Sequence, residues 1–259
     1  MAPLPAVCFA LPYRLCWGTC CSNAIILPLI VGQVLGAEAL AAVGSSYALI
    51  VFITSIFIGL CMGCSAVLSI QYGAKDIQQM KQSIFSSLLI VGGTTLLLNI
   101  LSLFFLSPII KILQTPPELE AMTYRYLFLI FLGMIPMAVY NFYAFLLRSV
   151  GNSSSPLYFL LISVALNIVL DVLFMVGLKM GVEGAALATV ISQIVSAAGI
   201  YLYTWKQFPE LRLSPDDRQI DFSSIRKIAS FSYLTCMQQS VMNLGILMVQ
   251  GLVNSFGTT

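Results

Sequence analysis

Histidine is absent from the 259 residues, and charge is scarce: 12 Lys and Arg with 10 Asp and Glu make up 8% of the chain. The first absence removes imidazole metal sites, Ser-His triads and histidine proton relays. The second excludes a water-soluble domain, in which about a quarter of the residues carry charge. A net charge of +2 is too small to point to nucleic acid as a partner. What fills the chain instead is apolar, 59% of all residues. That composition belongs to a polytopic membrane protein whose charges are confined to loops.

A bilayer-spanning helix needs about 20 mainly apolar residues. Seven long runs qualify, with helices expected near 9–35, 45–71, 84–107, 125–147, 157–178, 184–205 and 229–254. A transmembrane barrel would instead show alternating segments of about ten residues, so the fold class is all-α. The loops after spans 2, 4 and 6 hold Lys75, Lys81, Arg148, Lys206, Arg212, Arg218, Arg226 and Lys227. The loops after spans 3 and 5 hold only Lys111, Arg125 and Lys179. The excess predicts that the N-terminus and the even loops face the cytoplasm, with Arg14 the one base outside this pattern. No basic stretch precedes the first apolar run, so a cleaved signal peptide is not expected.

The stretch 206–227, mixed in charge and containing Pro209 and Pro215, reads as a linker between two membrane halves. Residues 231–257 echo 9–36 at an offset of roughly 221, where a second helical unit is expected to begin. The expected organisation is a six-helix lobe over 1–205, a cytoplasmic linker over 206–227, and the start of a second lobe over 228–259.

Asp171 is the only carboxylate inside a predicted span. A lone charge at membrane depth is costly unless it is paired or faces water, which marks it as functional. Asn167 and Ser163 precede it at four-residue steps, forming a polar stripe on one helix face. Span 6 offers a second stripe, Thr189, Ser192, Gln193 and Ser196. Together they suit an oxygen-rich pocket for Na+ or a proton-binding carboxyl. The Ser and Thr residues fit equally well as polar contacts between helices.

Cys61 and Cys64 form a CxxC inside span 2, with no second pair to complete a zinc site. Gly59 and Gly63 at GxxxG spacing make close helix packing the better account. Pro12, Pro28 and Pro136 fall within spans, where each removes a helix hydrogen bond and permits a kink.

Several of these segments resemble the signatures of the MATE (multidrug and toxic compound extrusion) transporters. They are Ile30-Val-Gly-Gln-Val-Leu-Gly36 with the loop to Gly44, Gln71-Tyr-Gly-Ala-Lys-Asp76, Leu147-Arg-Ser-Val-Gly-Asn152 with Pro156, Leu166-Asn-Ile-Val-Leu-Asp171 and Gly181-Val-Glu-Gly-Ala-Ala-Leu-Ala-Thr189. The resemblance implies a six-helix MATE-like N-lobe plus the first helix of a C-lobe. It implies export of drugs or toxic organic compounds, often cationic, in exchange for Na+ or H+. It assigns the coupling-ion site to Asp171, Asn167 and Thr189, and places Asn141 on the wall of the same cavity with Ser163 and Gln193. No cofactor other than the coupling ion, no resident metal and no enzymatic activity are implied. The expected partners are a small-molecule substrate, the lipid bilayer of the cell membrane and the missing C-lobe, without nucleic acid.

The resemblance fails at one place. The family's span-1 Asp has Leu27 at its position, and residues 15–28 match nothing in the pattern. Reading one base earlier permits a family-like Leu-Gly-Asn-Leu-Leu-Gln-Gln stretch, so this segment is expected to be out of frame. The alternatives to an incomplete antiporter are a non-transporting fragment or pseudogene product, and a flippase of related fold for lipid-linked sugars. The latter calls for basic residues facing the cavity.

Overall fold

The computed structural model describes residue 32 and residues 37–112, 117–213 and 222–255. Apart from Gly32, the expected first span, with Pro12, Arg14, Leu27, Pro28 and the segment 15–28, lies outside the described residues. Among the described residues the secondary structure is helical, without strands. Eight α-helices follow one another there: α1 (Ala37–Gly73), α2 (Ile77–Phe104), α3 (Leu106–Ile112), α4 (Pro117–Leu132), α5 (Met134–Ser149), α6 (Ser154–Val172), α7 (Val182–Gln207) and α8 (Phe222–Ser255). A π-helical turn, Leu173–Gly177, continues α6, and a 3-10 turn, Pro209–Leu211, follows α7.

Among the described residues, five stretches are long and apolar enough to cross a membrane: Leu49–Gly73, Ile77–Phe104, Leu119–Ser149, Ser154–Gly177 and Val182–Gln207. They correspond to predicted spans 2 to 6. The seventh predicted span is helical as α8 but is not among the five. Its first half is rich in Ser, Thr and Gln, with Arg226 and Lys227 near its start.

The turns explain several sequence motifs. In Gln71-Tyr-Gly-Ala-Lys-Asp76 the chain reverses at Lys75, φ 60°. Asp76 then caps α2 by accepting from Gln79 N at 3.0 Å. After α5, Gly151 adopts φ 86° and the Asn152 carboxamide accepts from Ser155 N at 3.1 Å, starting α6. Gly181 at φ 67° and ψ −148° occupies a region open almost only to glycine. It lets α7 turn back tightly on the end of α6.

Span 4 is broken. The helix interrupts at Gly133, between α4 and α5, three residues before Pro136. Proline removes the N–H that would bond the carbonyl of Leu132, and Asn99 of α2 donates to the neighbouring carbonyl of Phe131. Small residues set the closest crossings. A Cβ on Gly59 would lie 2.6 Å from Cys236 Cα, and one on Gly63 closer still to Ser232 Cα. There α1 and α8 touch backbone to backbone, the packing that the GxxxG spacing predicts.

Two hydrophobic clusters occupy opposite ends of the bundle. One gathers Phe57, Leu106, Ile110, Leu127, Phe131, Met134, Met175 and Val182. The other gathers Leu68, Met80, Ile84, Phe142, Leu146, Leu211 and Ile228, at the end where the 74–76 and 150–153 turns lie. Between them α6 and α7 pack antiparallel, and that pairing carries the polar stripes.

Candidate functional site

The register of the α6–α7 pair is fixed by two hydrogen bonds. Ser163 Oγ donates to Ser192 O at 3.2 Å, and Asn167 Nδ2 to Thr189 Oγ1 at 3.4 Å. One turn further on, Asp171 comes level with Ala185, whose side chain supplies no polar partner. Asp171 is fully buried and Asn167 nearly so. Thr189 Oγ1 itself donates to Ala185 O at 3.0 Å.

Three oxygens at this place are left over. Asp171 Oδ1, Asp171 Oδ2 and Asn167 Oδ1 are buried without a hydrogen-bond partner among the described residues. Burying one unpaired carboxylate costs several kcal/mol, so a charged carboxylate at this place requires a proton or a cation to offset it. The donor set is hard oxygen only, one formal negative charge and a neutral carbonyl, with the Thr189 hydroxyl at its edge. That suits a small alkali cation or a proton shared between carboxyl and carboxamide. The helix departs from α geometry directly after Asp171: Leu178 N bonds Leu173 O at 2.9 Å across the π turn. Such turns recur at functional sites.

A cavity of about 300 Å3 opens on the other side of Thr189. Its walls come from α1 (Tyr47, Ile50, Thr54), from α4 and α5 across the break (Tyr126, Ile130, Gly133, Met137), and from α6 and α7. Thr189 and Gln193 line it, whereas Asn167 and Asp171 lie behind that wall. Thr189 therefore borders both the carboxylate pocket and the cavity, and Tyr126, which also lines the cavity, lies within electrostatic reach of Asp171.

Ser163 is spent on the α7 backbone. Asn141 donates to Met137 O at 2.9 Å, one turn back on its own helix, and is not among the cavity's lining residues. The aromatic and thioether wall formed by Tyr47, Tyr126 and Met137 was not anticipated. Those residues sit in apolar helices without periodic polar marks, so only the packing of five helices reveals them.

The fold and this pocket define a multi-pass helical membrane protein with a buried polar centre beside a half-open cavity. The MatE family model matches residues 19–173, and the chain belongs to that family, which consists of transporters rather than enzymes. It is 29% identical over 253 residues to the "Probable multidrug resistance protein YpnP" of Bacillus subtilis (strain 168), covering 97% of this chain and 56% of that protein. Over 147 residues it is 32% identical to the "Multidrug export protein MepA" of Staphylococcus aureus (strain NCTC 8325 / PS 47), covering 56% of this chain and 32% of that one. A crystal structure of a MATE protein in its straight conformation superimposes with a TM-score of 0.84 at 22% identity, over 96% of this chain and 56% of that chain. The chain spans about half the length of the curated relatives with which it aligns almost completely.

Proposed function

We propose that these residues form the ion-binding half of an antiporter that exports drugs or other small toxic organic compounds in exchange for Na+ or H+. The observation that carries the reading is the trio of unpartnered oxygens on Asp171 and Asn167, one residue away from a cavity that can hold a small molecule. Relatives named for multidrug resistance and export support the substrate class.

In this reading Asp171 binds the coupling ion, Asn167 adds a carbonyl oxygen, and Thr189 reports occupancy to the cavity wall. A ligand drives a transition only through different affinities for two states. Neutralising Asp171 removes a buried charge and changes which packing of α6 on α7 is preferred. By linkage, the same difference lowers affinity for the exported compound. The second lobe, expected after the linker 206–227, would supply the other half of the pathway. The cavity lining includes no Lys or Arg among the described residues, so nothing here favours the lipid-linked-sugar flippase.

The test is efflux from cells producing the full-length protein. Asp171→Asn, which keeps the shape and removes the titratable charge, is expected to abolish export of a fluorescent organic cation while leaving the protein in the membrane. Undiminished efflux from that variant would refute the proposal. Imposing a Na+ gradient and a pH gradient separately on proteoliposomes then identifies the ion.

A further inference from the structure

A second concavity, sharing no lining residue with the first, lies at the basic end of the bundle. About 250 Å3 in volume, it is lined by Ile84, Leu88, Tyr143, Tyr201, Trp205 and Arg212, among others. Arg212 follows the 3-10 turn that folds the chain back after α7. Its guanidinium stacks over the Trp205 ring at 5.1 Å, and its Nε donates to Trp205 O at 2.9 Å. This anchors the cation beside a half-exposed tryptophan at the end of a membrane span, the depth at which aromatic belts meet headgroups.

A second hollow adjoins this concavity. Leu88 and Tyr143 also wall a further groove of about 250 Å3, which runs between α2 and α5 past Val91, Gly92, Thr95, Ile135 and Val139. That groove lies within two predicted membrane crossings and is almost wholly apolar. Leu96 and Ile135 remain exposed along it. A Cβ at Gly92 would meet nothing within 4 Å, so the groove is open at its middle.

We infer that these two joined hollows bind one anionic phospholipid, with its phosphate at Arg212 and an acyl chain along the α2–α5 groove. The charge decides the occupant. A transmembrane helix laid in the groove would cover Arg212 without neutralising it. A phospholipid at the same depth brings an anionic headgroup to the guanidinium and a chain to the apolar walls. Lys206, Arg226 and Lys227 are exposed on neighbouring segments but do not line the concavity, which leaves Arg212 as the cation within it. The site is separate from Asp171 and does not depend on its role.

Trp205 makes the site measurable, because Trp17 is the only other tryptophan in this sequence. The Trp17→Phe chain is reconstituted in phosphatidylcholine vesicles with increasing fractions of phosphatidylglycerol brominated on its acyl chains, and compared with brominated phosphatidylcholine. Half-maximal quenching of Trp205 is expected at about fivefold lower fraction of the anionic lipid, the factor one arginine contributes at an anionic surface. Arg212→Gln should remove this preference. Arg226→Gln, an equal loss of charge outside the groove, should keep it. Gly92→Phe should block saturable quenching, whereas Gly93→Phe, also in open space but not among the groove's lining residues, should not. Equal curves for the two lipids in the unsubstituted groove, or a preference that survives Arg212→Gln, would overturn the inference. So would identical behaviour of Gly92→Phe and Gly93→Phe.

Discussion

Asn167 divides its carboxamide between two tasks. Its Nδ2 reaches Thr189 Oγ1 at 3.4 Å, while its Oδ1 has no partner among the described residues and stands one helical turn from the bare carboxylate of Asp171. Substituting Ala removes the oxygen and leaves the carboxylate in place, so ion binding should weaken by about tenfold rather than vanish, the scale of losing one buried polar contact. The measurement is thermal unfolding in detergent. A ligand that binds only the folded state stabilises it in proportion to the logarithm of its concentration. The midpoint should therefore rise with Na+, or with proton concentration if H+ is the ion. In Asn167→Ala the rise should need about ten times more ion, and in Asp171→Asn it should disappear. A rise unchanged in Asp171→Asn would place the ion elsewhere. The placement of these two side chains was readable from the sequence, because a carboxylate in an apolar run is conspicuous and four-residue spacing puts Asn167 on the same face. That Thr189 borders both the pocket and the cavity was not readable, since its side depends on the α6–α7 register.

At the scale of helices, glycine decides what can approach. Gly63 meets the backbone of α8 at Ser232, where Ser232 Oγ also donates to Leu60 O at 3.3 Å and Thr235 Oγ1 to Gly59 O at 2.6 Å. A methyl group added at Gly44, on the same helix, would meet nothing within 4 Å. The same chemical change should thus have opposite signs. Gly63→Ala must separate two backbones and is expected to destabilise by about 1–3 kcal/mol. Gly44→Ala gains helix propensity and should stabilise by about 0.5–1 kcal/mol. Thermal midpoints of the two variants check this, and a neutral Gly63→Ala would mean that α8 does not sit against α1. The GxxxG spacing foretold a close contact on α1, but not its partner, because Gly63 and Ser232 are far apart in sequence. C-terminal ends of the spans followed the apolar runs to within about three residues, but α1, α2, α4 and α8 begin seven or eight residues before the predicted starts, because a helix continues into polar residues that no hydropathy run marks. The irregularity that Pro136 permits in span 4 lies at Gly133, for a proline frees the carbonyl one turn before itself. The π turn after Asp171 left no mark in composition.

Across the whole molecule the two ends differ in charge, and this difference bears on which way the protein faces. The 74–76 and 150–153 turns and the segment after α7 lie at the end holding Lys75, Arg148, Lys206 and Arg212, with Arg226 and Lys227 beginning α8. At the other end, Arg125 is engaged with Glu183 at 2.9 Å across α4 and α7, and Lys179 sits in the α6–α7 turn at φ 55°. Lysine and arginine counts in short loops set topology whether or not a carboxylate is nearby, so the first end is expected in the cytoplasm. The proposed lipid site then faces the anionic inner leaflet, and the α6–α7 turn next to Asp171 faces outward, toward the side from which a coupling ion enters. Single cysteines at Lys75, Asn152 and Lys179, placed in a chain whose native cysteines are replaced by serine, test the arrangement in intact cells. A membrane-impermeant maleimide should label Lys179→Cys only. Lys75→Cys and Asn152→Cys should react after the membrane is opened. The reverse pattern would turn the protein over, placing the Arg212 groove in the outer leaflet and the ion site at the cytoplasmic end, and exchange driven by inward ion flow would then need a different entry route to Asp171.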